Sequence, residues 1–250
     1  MIHSFLLIGQ SNMAGRGFLE EAKEVDTNHI LVLRNGRWGK MYRPVNNDRP
    51  FSGVCLAESF AEKYAKKYGV DVGLIPCADG GTTLEQWKEG SLLFDHAVYQ
   101  ARLALRTSTI AGVLWHQGES DCATTLAQTY AERFEVFMKA LRRELDLHDV
   151  PFLLGGLGNF LCRSPRGEEF KNYATVNKQL RMIAAQNAMT GFVPADGLEP
   201  NPDNLHFSSH ALHTFGIRYF EEFEKVRDPK KVFAEKPGVN EALRIGIELL

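Results

Sequence analysis

The sequence has little cysteine, no long apolar run and no excess of either charge. Its four cysteines, Cys55, Cys77, Cys122 and Cys162, are scattered without a C-x-x-C pair. That spacing argues against a disulfide framework and reads as the reduced thiols of a cytoplasmic protein. Lys and Arg number 29 against 31 Asp and Glu, a formal net charge of −2. Such a balance gives no electrostatic case for nucleic acid or an anionic membrane as partner. The opening apolar run is short and has no basic flank, so it is not expected to be a signal peptide. No run approaches the roughly 18 apolar residues of a membrane span. There is no internal repeat, low-complexity tract or central linker. At 250 residues the chain is expected to form a single domain, with residues 227–250 as a C-terminal helical extension. That extension is expected to pack on the body, or to serve as a homo-oligomer contact.

What the sequence does have is alternation of short apolar runs with amphipathic stretches. Residues 1–8 read as a buried strand. Residues 18–52 read as irregular, with a small hairpin around Asn35-Gly36. A helix is expected over 54–68, where Leu56, Phe60 and Tyr64 form one stripe, and a second core strand over 70–76. A helix over 92–105, a strand over 110–115 and a long helix capped by Asp121 and running to Leu145 follow. Beyond them come a strand over 151–155, a helix over 168–189, a short strand at 192–194 and a helix over 207–226. Strands separated by helices imply right-handed crossovers and a parallel sheet covered on both faces. The expected fold is a three-layer α/β/α sandwich, flavodoxin-like, with a parallel sheet of about five strands.

Polar residues cluster where these strands end. Gly9-Gln10-Ser11-Asn12-Met13 follows the first, Gly80-Gly81-Thr82 the second, and Trp115-His116-Gln117-Gly118-Glu119 the third. Asp203-Asn204-Leu205-His206 precedes the last helix. The carboxyl edge of such a sheet is where ligands bind, so these segments are expected to meet in one crevice. Each is ambiguous alone. Ser11 could be a turn residue or a cap, Gly80-Gly81 a plain turn, Gln117 a loop hydrogen-bonder and Asp203 a helix cap. Together, a serine, a histidine and an acid three residues before that histidine suggest acyl transfer through a covalent enzyme intermediate. Met13 occupies the last position of what would be a G-x-S-x-G elbow, which argues against an α/β-hydrolase.

These four blocks, in this order, resemble the SGNH-hydrolase superfamily, and within it the carbohydrate-acetylesterase branch that includes acetylxylan esterases and sialate O-acetylesterases. The similarity spans residues 5–225. It implies Ser11 as nucleophile, His206 as base and Asp203 as its orienting acid. The oxyanion hole would comprise the N–H groups of Ser11 and Gly81 and the side chain of Gln117, where many relatives outside the branch carry asparagine. Glu119 is expected to position substrate, a loop or His206, or to serve a purely structural role at its loop. Asn12, Arg16, His116 and Trp87 are candidates for lining a sugar pocket, Trp87 being equally suited to a core role under its loop.

The expected activity is removal of acetyl groups from a sugar, a xylan-derived oligosaccharide or a sialic acid, without a cofactor. Two rivals share the fold: a general small-ester or lipid esterase, and a noncatalytic carbohydrate-binding protein. His206, His210 and His213 have helical spacing, but Phe207 stands where a zincin motif needs glutamate, so no metal site is expected there.

Overall fold

The computed structural model describes residues 1–227. The C-terminal helix expected from about Val239 to Leu250 lies outside them. The strands are β1 (Ile2–Gly9), β2 (Ile30–Arg34), β3 (Arg37–Lys40), β4 (Asp71–Pro76), β5 (Ser108–His116), β6 (Phe152–Gly155) and β7 (Thr190–Val193). They form one sheet in the order β3-β2-β4-β1-β5-β6-β7. Every pairing is parallel except β2 with β3. The five strands β4-β1-β5-β6-β7 are those expected, and their order is that of a flavodoxin-like sheet. The count rises to seven because the Asn35-Gly36 hairpin joins the sheet. Both of its turn residues have positive φ, 50° and 73°, as a tight primed turn requires. Its first strand then pairs with β4, so a stretch that read as irregular becomes the sheet edge.

Helices α2 (Ala57–Tyr68) and α8 (Ser209–Val226) pack together on one face. Helices α3 (Leu92–Ala104), α5 (Tyr130–Leu145) and α7 (Tyr173–Gln186) cover the other. On the first face Phe5 of β1 meets Phe60 at 4.7 Å and Phe223 at 5.9 Å between ring centroids. On the second, Trp115 of β5 meets Phe137 at 4.9 Å, Phe134 at 5.2 Å and Trp87 at 5.5 Å. Burying one such ring contributes about 2–3 kcal/mol relative to exposure. The central strands are therefore apolar toward both layers, which is why they read as continuous runs rather than alternating ones. No helix among the described residues is long and apolar enough to cross a membrane.

Two expected helices are broken. The long helix capped by Asp121 begins instead at α4 (Thr124–Gln128) and restarts at α5. Asp121 sits in a preceding turn and its carboxylate points inward, accepting from Leu84 N at 2.7 Å and Gln117 Nε2 at 2.6 Å. Arg133 binds the same carboxylate at 2.9 Å and donates to Leu126 O near the break. The helix expected over 168–189 is α6 (Gly167–Phe170) followed by α7. At that break Asn172 Nδ2 donates to Cys122 O at 2.7 Å. The final helix starts at its cap, Ser208, whose hydroxyl accepts from Ala211 N. All four cysteines are free thiols, three of them buried.

Candidate active site

The first block turns sharply because β1 ends on Gly9, at φ +128°. A Cβ there would lie 2.1 Å from His116 O, so only glycine lets β1 and β5 finish this close together. The chain then enters the single turn α1 (Ser11–Ala14), which lifts Ser11 to the carboxyl edge of the sheet. From the other end of the sequence, the Asp203–His206 turn reaches the same edge. His206 Nε2 lies 3.1 Å from Ser11 Oγ, and Nδ1 lies 2.7 Å from Asp203 Oδ2.

Asp203 is bound three ways. Besides the imidazole, its other oxygen accepts from Leu205 N at 2.9 Å and His206 N at 3.0 Å. Partial burial works to raise its pKa. The hydrogen bonds from the His206 ring and from the two backbone amides outweigh that and hold the carboxyl at about 2. Asp203 is thus an anion that receives the Nδ1–H, which leaves Nε2 as the acceptor facing Ser11. The expected serine, histidine and acid are brought together in one hydrogen-bonded line.

Gly80 and Gly81 come up beside Ser11. A Cβ on Gly80 would meet Arg16 Nη2 at 2.5 Å and Asp48 Oδ2 at 3.0 Å, so a side chain there would push against the Arg16–Asp48 pair. The Gly80 N–H is taken by Asp48 Oδ2 at 2.9 Å. The N–H groups of Ser11 and Gly81 have no acceptor among the described residues. They are two free donors at the edge of the cleft.

Gln117 is a correction. Its amide donates to Thr82 O at 3.0 Å and to Asp121 Oδ2 at 2.6 Å, and its oxygen accepts from Tyr130 Oη at 2.8 Å. The side chain is fully buried, and it has no hydrogen left for an oxyanion. It holds the loop that carries Gly81. The side chain that does line the cleft is Gln10, whose Oε1 accepts from Gly118 N and Ser120 N at 3.3 and 3.4 Å. That fixes the amide group beside the serine with its NH2 unpaired among the described residues.

Two more expectations change. Trp87 is fully buried and donates to Thr82 Oγ1 at 3.1 Å, so it takes the core role under its loop and offers no face to a sugar. His116 is buried too, with Nε2 3.1 Å from Gly156 O, and does not line the cleft. Burial lowers its pKa and favours the neutral ring, with Nε2 carrying the hydrogen that the carbonyl accepts. Its Nδ1 lies 3.7 Å from Glu119 Oε1. His210 and His213, on α8, do not line the cleft either.

Asn12 is 1% exposed and spends all three of its amide hydrogen bonds on the protein, so it supports the site instead of touching ligand. Arg16 and Glu119 do line the cleft. The Arg16 guanidinium is held by Asp48 at 2.6 and 3.1 Å.

The cleft measures about 800 Å³ and opens over Ser11 and His206. Its outer walls were not legible in the sequence. One is formed by Arg49 and Phe51, the other by residues 166–172. Phe51 is 68% exposed, a large apolar ring left in solvent within a ligand-sized hollow. It lies in an aperiodic stretch, so no pattern pointed to it. Chemically, the arrangement has a hydroxyl beside a general base, unpaired N–H donors next to that hydroxyl, and a roomy wall that mixes charged side chains with apolar surface.

An SGNH-hydrolase-like α/β sandwich is the class this fold and site define. The chain belongs to the carbohydrate esterase, sialic acid-specific acetylesterase family, whose model matches residues 1–225. It is 27% identical over 242 residues to the probable carbohydrate esterase At4g34215 of Arabidopsis thaliana, covering 85% of this chain and 86% of that one. The crystal structure of that plant protein superposes with a TM-score of 0.77, over 89% of this chain and 98% of its own. The fold is shared with the carbohydrate acetylesterase XAC1771 of Xanthomonas citri, at 21% identity and a TM-score of 0.67, over 90% of this chain and 56% of that one. It is also shared with a lipase/acylhydrolase of Enterococcus faecalis, at 13% identity and a TM-score of 0.55, over 93% and 100% of the two chains.

Proposed function

We propose that this protein is a serine esterase that removes acetyl groups from a carbohydrate. The observation that carries the reading is the line Asp203–His206–Ser11 ending beside the unpaired N–H groups of Ser11 and Gly81. Ser11 Oγ attacks the acetyl carbonyl while His206 Nε2 takes its proton. The carbonyl oxygen becomes an oxyanion held by the Ser11 and Gly81 N–H groups, with the Gln10 amide as third donor. Each such donor contributes roughly 3 kcal/mol when charge develops in a site that excludes water. His206 then protonates the departing sugar oxygen, the C–O bond breaks, and acetyl-Ser11 remains. Water, deprotonated by His206, attacks the acetyl carbon. Ser11 leaves with the proton returned, and acetate is released.

The cleft wall supports a sugar over a lipid chain. Arg49, Glu168, Glu169, Lys171 and Asn172 line it beside the apolar Phe51, Phe170 and Leu205, and such a mixture suits the hydroxyls and ring faces of a sugar better than a run of methylenes. Phe51 supplies the apolar face on which a pyranose ring stacks, the role Trp87 cannot take.

The test is acetate release from acetylated xylo-oligosaccharides, O-acetyl sialic acids and a longer-chain aryl ester. Wild type should turn over at least one acetylated sugar in preference to the long ester. Ser11→Ala should abolish turnover, a loss of roughly 10⁴-fold or more, with the fold intact. Near-normal turnover by the alanine variant would sink the serine mechanism. Preference for the long ester would sink the sugar.

A further inference from the structure

His206 has to stay within hydrogen-bond reach of Ser11, yet the two belong to segments 195 positions apart. Asn12 ties them at close range, and Asn201 adds a more distant tie by donating from Nδ2 to Arg16 O at 2.8 Å. Asn12 directly follows the nucleophile, and its amide grips both peptide groups that flank the histidine. Its Nδ2 donates to Leu205 O at 3.3 Å, and its Oδ1 accepts from Phe207 N at 3.1 Å. The first belongs to the peptide bond entering His206 and the second to the one leaving it. The same Nδ2 makes its shortest bond, 2.6 Å, to Glu119 Oε1. Asn12 and Glu119 are both buried, at 1% and 3% exposure. The other Glu119 oxygen has no hydrogen-bond partner among the described residues, so on the protein side its bonding is directed to Asn12.

We infer that Asn12 is a positioning residue that sets the Ser11–His206 distance, and that Glu119 acts on the reaction through Asn12, by fixing the tilt of its amide. The inference rests on the serine-esterase reading. Without Glu119 the amide loses its shortest bond and is held only by the longer ones to Leu205 O and from Phe207 N, at 3.3 and 3.1 Å, so it is free to tilt away from the histidine's backbone. The backbone around His206 would then relax. A displacement of about 1 Å between nucleophile and base is enough to cost on the order of 10²-fold in rate. Asp203 cannot compensate, because it fixes the ring from the same turn as His206 and has no hold on the Ser11 segment.

The experiment is a double-mutant cycle with Asn12→Ala and Glu119→Ala on an acetylated sugar substrate. Each single variant should lose on the order of 10–100-fold in kcat with KM within a few-fold of wild type. The double variant should be no slower than Asn12→Ala alone, because Glu119 has nothing left to act through. Glu119→Gln keeps a carbonyl acceptor for Asn12 Nδ2, so it should recover most of what Glu119→Ala loses. A second readout does not depend on catalysis. Hydrogen exchange at the Phe207 amide should quicken in both single variants, and quicken equally when Ser11 is also replaced by alanine. If the Ser11→Ala enzyme remains active, the esterase mechanism fails while the Phe207 exchange result still judges the clamp. Losses that multiply in the double variant would overturn the inference, as would unchanged Phe207 exchange. Glu119→Gln slower than Asp203→Asn would also overturn it, by making Glu119 the acid partner of His206. Should Asn12→Ala fail to fold, the Glu119→Gln and Glu119→Ala pair decides by the same kcat and exchange criteria.

Discussion

The loop after β1 and the loop after β5 end at the same sheet edge, both carry a glutamine, and they do opposite things. Gln10, after β1, has its oxygen anchored by two backbone amides and its NH2 unpaired among the described residues, in a side chain that lines the cleft. Gln117, after β5, has both its oxygen and its nitrogen consumed by Tyr130, Thr82 and Asp121. One glutamine is available to a ligand and the other is part of the scaffold under the glycine loop. A polar side chain at a strand end becomes functional only if the protein leaves some of its bonding capacity unfilled. A buried amide with every bond made has nothing to offer a substrate, and breaking it is costly.

That contrast can be broken most severely at the loop that holds the reactive line. Asp203→Asn should keep the fold and lower kcat by roughly 10²–10⁴-fold, because an amide no longer enforces the Nδ1–H tautomer. A kcat near wild type on an acetylated sugar would remove Asp203 from the line. The two glutamines come next. Gln10→Ala should lower kcat by about 10²-fold, the loss of one oxyanion donor, with a smaller stability loss of about 1 kcal/mol from the long bonds of Gly118 N and Ser120 N. Gln117→Ala should destabilise the fold by roughly 3 kcal/mol, because Thr82 O and the Asp121 carboxylate each lose a donor in the interior. Urea denaturation beside steady-state kinetics separates them, and the contrast is wrong if Gln117→Ala costs rate at unchanged stability.

Smaller effects test the cleft mouth and the charge. Phe51→Ala should raise KM for a sugar acetate several-fold, as loss of a stacking face worth about 1 kcal/mol implies, and leave kcat nearly as it was. An unchanged KM would remove the ring from the binding surface. The smallest effect expected is on acid stability. The Asp203 carboxyl is held at about 2 against an ordinary 3.8. Its contribution to stability is therefore fully present above about pH 4 and lost as pH falls through about 2. Its side chain is 46% exposed, so solvent screens the gain to a fraction of a kilocalorie. A carbon-detected titration of the Asp203 carboxyl should give a midpoint well below 3.8 in wild type, and a midpoint at the ordinary value would show that the bonds from His206 do not form in solution.

The sequence by itself determined the order of strands and helices, because apolar runs and amphipathic stripes are local signals with a fixed period. It also determined which segments meet, since parallel crossovers deliver Ser11, Gly81 and His206 to one sheet edge. The Asp203–His206 bond was legible for a similar reason, both ends lying within a single turn. Only the tertiary structure decided which way each polar side chain faces. Gln117 and Asp121 are turned inward to one another, Trp87 is turned inward to Thr82, and Phe51 is left outward. Hydrogen-bond saturation is a property of these folded surroundings, and no spacing rule in the sequence carries it. The same holds for the Asn35-Gly36 hairpin: its turn was local and readable, while its place beside β4 depended on an edge that exists only once the sheet has formed.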